Sequence, residues 1–174
     1  MEHSLVECDA PGREQLWNLA KSHWEKKGYE WPEVSIGSIL ACSFSEAKSA
    51  NGKKERGADQ LYRILISETA HQIWKLRCIR VIEHGSDPLR YFSEAEIHNK
   101  WLATINSRLR SDIILTDRKK FGNRAMNFKV VCNTWNGVLQ DDENLTGTKI
   151  GQSRVLVGIA PLCPRTSSLL LGRG

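Results

Sequence analysis

Apolar positions along this chain recur mostly at spacings of three and four, the period of an α-helix, rather than in the alternation of a strand. Leu16, Trp17, Ala20 and Trp24 form the first such stripe. Pro11 stands near its start and Lys26-Lys27-Gly28 supplies cations and a stop, which predicts a first helix over about Pro11–Lys27. Tyr29-Glu-Trp-Pro-Glu33 breaks the pattern. A short helix is predicted over Ser35–Cys42, and the polar, turn-rich Ser49–Gly57 reads as an internal hinge.

From Ala58 to Glu83 there is no glycine or proline, and Leu61, Ile64, Leu65, Ile73, Trp74, Leu76, Ile79 and Ile82 spread apolar groups around much of the circumference. That distribution suits a central helix surrounded by others. The next helix opens at Ser93-Glu-Ala-Glu96 with a capping box, in which the Ser hydroxyl accepts from the backbone three residues on while Glu96 reaches back. Ile97, Trp101, Ile105, Leu109 and Ile113, reinforced by Leu102, then make one slowly drifting stripe. Phe128, Val131, Cys132, Trp135, Val138 and Leu139 keep the same period and predict a helix over about Asn127–Leu139, weakened in its last turn by Gly137.

These elements predict an all-α fold, a compact bundle of about four main helices in which Ala58–Glu83 and Ser93–Thr116 form a central antiparallel hairpin. The chain divides into 1–28 with the first helix, 29–57 with the loop and short helix, a helical core over 58–140, and an irregular tail over 141–174. Within that tail Val155–Ile159 reads as a short strand or a docked apolar segment.

The length of 174 residues suits one domain, and 40% hydrophobic with 26% charged residues excludes wholesale disorder. No apolar run approaches the roughly 18 residues a membrane span needs, and the first residues lack the pattern of a signal peptide. A soluble protein of the nucleus or cytoplasm, with no membrane partner, is expected. The five cysteines, an odd number and widely separated, read as reduced thiols, Cys78 and Cys132 as packing residues.

Charge is unevenly placed. The net +5 is concentrated between Lys100 and Lys129, where eight basic residues face two acids for +6; the other residues carry 17 bases and 18 acids, or −1. Arg108, Arg110, Arg118, Lys119, Lys120, Arg124 and Lys129 fall at the end of one predicted helix, on a Gly122-Asn123 turn and at the start of the next. Clustered cations of this kind neutralise phosphates and release counterions without requiring fixed geometry, so RNA or DNA is the expected partner. Five of the six tryptophans lie on apolar stripes and read as core; Trp31, beside Pro32 in a loop, is the exception.

Metal and catalytic chemistry are less supported. His3 and Cys8 are half of a zinc site, since structural zinc takes four nitrogen or sulfur ligands, usually as two short-spaced pairs, and no Cys-x2-Cys pair occurs. Followed by Ala-Pro-Gly-Arg13 and a helix bearing Trp17, His3-x4-Cys8 resembles the second half of the zinc-binding segment of non-LTR retrotransposon reverse transcriptases. Leu61–Arg77 and Glu96–Asn106 are similar to a C-terminal region of fungal proteins of that kind, which carry reverse-transcriptase or RNase H-type domains upstream. The resemblance implies that 1–28 is a remnant of the zinc-binding segment, that Met1 is an internal methionine of a truncated module, and that the polymerase and RNase H carboxylates are absent. It implies no cofactor, zinc being bound only if missing upstream ligands are supplied.

Glu68-x-x-His71 matches one element of a di-iron bundle, but that chemistry needs a second such element and further carboxylates, so His71 reads as a satisfied core histidine. Glu94 and His98, four apart, read as a solvated helix pair, and Asp141-Asp142-Glu143 as a solvated loop. Neither Gly-x-Ser-x-Gly nor a phosphate-loop motif occurs, and no convergent carboxylate set can be assembled for a two-metal nuclease. No catalytic residue is predicted. The expected function is that of a non-catalytic C-terminal fragment of a retrotransposon reverse transcriptase/RNase H-type polyprotein that binds nucleic acid through the basic stretch; the alternatives are a helical protein-interaction or orphan structural domain and, below it, a metal-dependent nuclease.

Overall fold

Helix α3 (Arg56–Cys78) is the element the others pack around: α1 (Arg13–Lys26), α4 (Glu94–Ile114) and α6 (Phe128–Trp135) all contact it, as does the short α2 (Ile36–Leu40). The computed structural model describes residues 3–8, 11–48 and 51–139; within them the fold is all-α. Leu61, Ile64, Leu65 and Ile66 of α3 are fully buried, together with Leu16 of α1, Trp101 and Ile105 of α4, and Trp135 of α6. Each such side chain withdrawn from water contributes roughly 1.5–3 kcal/mol of transfer free energy.

The central hairpin forms as expected. Helix α3 continues through a wide turn at Ile79–Glu83 and a short turn at Pro88–Arg90, and α4 begins at a completed capping box: Ser93 Oγ accepts from Glu96 N while Ser93 N donates to Glu96 Oε2 at 2.8 Å. The bond from Ser93 N, and one that Ser93 Oγ donates to the same oxygen, hold the Glu96 carboxyl below its usual range. Across the hairpin Glu68 faces Arg108 and Thr104 donates to Gln72, the register of an antiparallel pair. The Trp101 indole donates to Thr69 Oγ1 at 2.9 Å, so each of these buried polar groups has a partner.

The seam between α3 and α6 is set by Gly57. A Cβ there would stand 2.6 Å from the Asn133 backbone, so only glycine admits this approach. Lys27, just beyond α1, donates from Nζ to the carbonyls of Asn133 and Asn136 at 2.6 Å each, closing the C-terminal end of α6 with a cation. The segment before α1 is tied down by Arg13, which donates to the carbonyls of Cys8 and Val6, and by the Trp17 indole, which donates to Leu5 O.

Several expectations need correction. Helix α6 ends at Trp135 rather than Leu139, because Gly137 takes a left-handed φ of +81°; Val138 and Leu139 stay buried past the helix end. Helix α3 starts at Arg56, and the presumed hinge is tied back where Ala47 N donates to the buried Asp59 carboxylate and Glu55 N to Ala47 O. Trp74 and His71 lie on the outer face of α3, where both are exposed and their rings stack at 6.2 Å, so neither is a core residue. Trp31 is half buried and packs beside Tyr62. Asp141–Glu143, Val155–Ile159 and the rest of the expected tail lie outside the described residues.

Candidate nucleic-acid interface

The chain between α4 and α6 forms a closed basic loop. After the C-cap Leu115, Asp117 Oδ1 accepts from the backbone N–H groups of Lys119 and Lys120 and starts the single turn α5 (Arg118–Phe121). Gly122, at φ +54°, reverses the chain into a 3-10 turn over Gly122–Arg124. Met126 N then donates to Leu115 O at 2.8 Å, closing the loop at its base, and Asn127 caps α6 by accepting from Lys129 N. Local hydrogen bonds thus fix the backbone from which Arg118, Lys119, Lys120 and Arg124 project.

All four of those side chains are exposed, as are Arg110 on the last turns of α4 and Lys129 on the first turn of α6. None of the six forms an ion pair with a described acid. The two acids of the segment are otherwise occupied: Asp117 caps α5, and Asp112 points into the bundle. Lys120 lies over the Phe121 ring at 5.5 Å, and Phe128 is 40% exposed beside Lys129, so apolar surface adjoins the cations.

Arg108 stands apart from the other cations. Its Nε donates to Asp112 Oδ1 at 3.1 Å and its Nη1 lies 3.9 Å from Glu68. Asp112, 1% exposed, accepts on its other oxygen from the Trp135 indole at 3.1 Å. The chain Glu68–Arg108–Asp112–Trp135 joins α3, α4 and α6. A signal for it was present in the sequence: Asp112 falls at i+3 from Leu109 and i+7 from Ile105, on the apolar stripe.

Two further buried polar residues also lie on apolar stripes. His23 packs against the Trp101 ring at 4.9 Å, and its Nδ1 pairs with Leu19 O at 2.6 Å. Burial lowers its pKa to about 4, and nearby Lys26 and His98 push the same way against the Leu19 bond. His98 is buried rather than solvated beside Glu94, because its position shares the inward side of α4 with Trp101, Leu102 and Ile105; burial lowers its pKa too. Among the described residues no partner faces the Nε2 atom of either histidine.

Elsewhere, among the described residues, the side chains singled out by motif do not converge. His3 is exposed and pairs with Glu7 at 3.4 Å, while Cys8 is half buried beneath the Arg13 bond to its carbonyl. Among the described residues no group of three or more His, Cys, Asp or Glu side chains is placed to hold a metal ion. Glu68 turns toward Arg108 and His71 toward Trp74, so the Glu-x-x-His pair does not converge. Cys132 is half buried and burial raises its thiol pKa, the opposite of an activated nucleophile. No described helix is long and apolar enough to cross a membrane. No family model, curated protein or solved structure matches the chain.

Proposed function

We propose that this protein is a non-catalytic helical module that binds nucleic acid through the basic loop, and that it derives from the C-terminal region of a retrotransposon reverse transcriptase/RNase H-type polyprotein. The observation that carries the binding is the set of six exposed cations, Arg110, Arg118, Lys119, Lys120, Arg124 and Lys129, on and beside a loop closed by the Met126–Leu115 hydrogen bond. An ordered backbone keeps like charges side by side, and an approaching row of phosphates relieves their mutual repulsion while releasing counterions. Phosphate contacts give affinity and register without reading sequence. Arg108, whose charge is matched by Asp112 and Glu68, ties α4 to α3 rather than touching the ligand. The derivation rests on the resemblance of His3-x4-Cys8, Leu61–Arg77 and Glu96–Asn106 to that family.

Fluorescence anisotropy with random-sequence RNA and DNA at low salt tests this reading. Binding by the native protein that is lost in the Arg118→Ala, Lys119→Ala, Lys120→Ala triple variant supports it; equal binding by both, or by neither, sinks it.

A second reading has its own observation. Ile82 is 77% and Leu89 94% exposed on the turns between α3 and α4, with Val81 and Trp74 also exposed, a surface suited to a protein partner. Loss of a captured partner on Ile82→Lys and Leu89→Lys, with no salt-sensitive nucleic-acid binding, would favour that reading.

A further inference from the structure

At the end of the bundle where α1 begins, α3 ends and α4 starts, a narrow cleft opens to solvent. Its floor is aliphatic: Leu16, Ile73, Leu76 and Ile97, all buried. Its rim carries Arg13, Arg77 and Arg80 with His84 beside them, and among the described residues neither Asp nor Glu lines it. Arg13 is held by the neutral carbonyls of Cys8 and Val6, and among the described residues no acid matches its charge. The Arg80 guanidinium lies 5.8 Å from the Tyr91 ring centre, and the Tyr91 hydroxyl donates to Ser86 O. Among the described residues no acid forms an ion pair with any of the three arginines.

We infer that this cleft binds a small amphiphile with one anionic end and a short unbranched alkyl chain. An apolar floor with a few charged residues at its rim is the usual composition of a ligand site. Guanidinium groups match the planar, bidentate geometry of carboxylate and phosphate oxygens, and among the described residues no carboxylate on the rim competes for them. The enclosed space is small, about 30 Å³, so it takes the tip of a slender alkyl chain and leaves the head group at the mouth. Arg77 and Arg80 then hold the anion at the mouth, while Tyr91 fixes the Arg80 side chain from behind. This inference is independent of the basic loop, which lies between α4 and α6.

Proton NMR of the full chain, following the ring signals of His84 and Tyr91, tests it with hexanoate, hexyl phosphate, hexanol and acetate, each titrated to about 10 mM. Saturable shifts with hexanoate or hexyl phosphate, and binding at least about tenfold weaker with hexanol and acetate, are expected. The tighter of the two anions identifies the head group as carboxylate or phosphate. Arg77→Ala with Arg80→Ala, both at exposed or half-buried positions that leave the core intact, should weaken the preferred anion at least about tenfold while the other proton signals stay in place. Hexanol binding as well as hexanoate, an unaffected double variant, or no saturable shift with either anion overturns the inference.

Discussion

Trp135 of α6 donates its indole N–H to the buried Asp112 carboxylate of α4 at 3.1 Å, on the opposite oxygen from the one that accepts from Arg108. Each partner satisfies a group that would be costly to leave unpaired, so the bond joins two helices and fixes the arginine that precedes the basic loop. Asp112→Ala should lower stability by about 2–3 kcal/mol, measured as a reduced urea midpoint. Trp135→Phe should cost less than Asp112→Ala, and a double-mutant cycle between them should show coupling of at least about 0.5 kcal/mol. Additive effects would mean that the bond does not contribute.

Gly57→Ala is expected to destabilise the protein even though alanine is the better helix former. The new methyl group would stand 2.6 Å from the carbonyl carbon and oxygen of Asn133, backbone atoms that cannot swing aside. Overpacking of this kind costs about 1–3 kcal/mol, more than the gain of about 1 kcal/mol in helix propensity at the upper end of that range. Gly37→Ala is the control, because its Cβ would meet only Ser35 Oγ at an ordinary 3.6 Å. Denaturation midpoints of the two variants should move apart, Gly57→Ala falling below Gly37→Ala.

His23 should make the fold sensitive to mild acid. Its folded pKa is about 4 against 6.5 for a free imidazole, so above pH 6.5 it is neutral in both states and the full stability is present. As pH falls from 6.5 toward 4 the unfolded chain takes up the proton first, and stability declines by up to about 3 kcal/mol. His98, shifted in the same direction, adds to the loss. Urea midpoints measured across this range should drop, and His23→Phe should flatten the dependence. The His23 ring proton signal should show no titration above pH 5.

The helices were legible because each buried face repeats at three and four residues, as in Leu16, Ala20 and Trp24, and because Ser93 and Glu96 form a cap readable from spacing alone. The helix ends were less so: α6 stops where Gly137 adopts a positive φ, although Val138 and Leu139 continue the apolar period and remain buried. Periodicity also cannot say which apolar residue faces outward, and Trp74 sits on the solvent side of α3. At the candidate interface the sequence located the cations but could not separate Arg108 from Arg110. Only packing against Glu68 and Asp112 distinguishes a matched arginine from exposed ones. His98 reads as solvated beside Glu94 and Asp112 only as one of two acids in the basic stretch, because spacing does not show whether a polar residue on an apolar stripe is packed until its neighbours are known.

The salt dependence of nucleic-acid affinity tests the central claim most directly. A plot of log Kobs against log salt for single-stranded RNA should be linear and negative, with a slope of about −0.7 for each phosphate neutralised. Replacing Arg118, Lys119 and Lys120 with Ala should make the slope shallower by about 2 while the urea midpoint stays unchanged, since all three side chains are exposed. Arg108→Ala should do the reverse, lowering the midpoint with little change in slope. A slope near zero for the native protein, or one that the triple substitution leaves unaltered, would contradict the assignment of the basic loop as the binding surface.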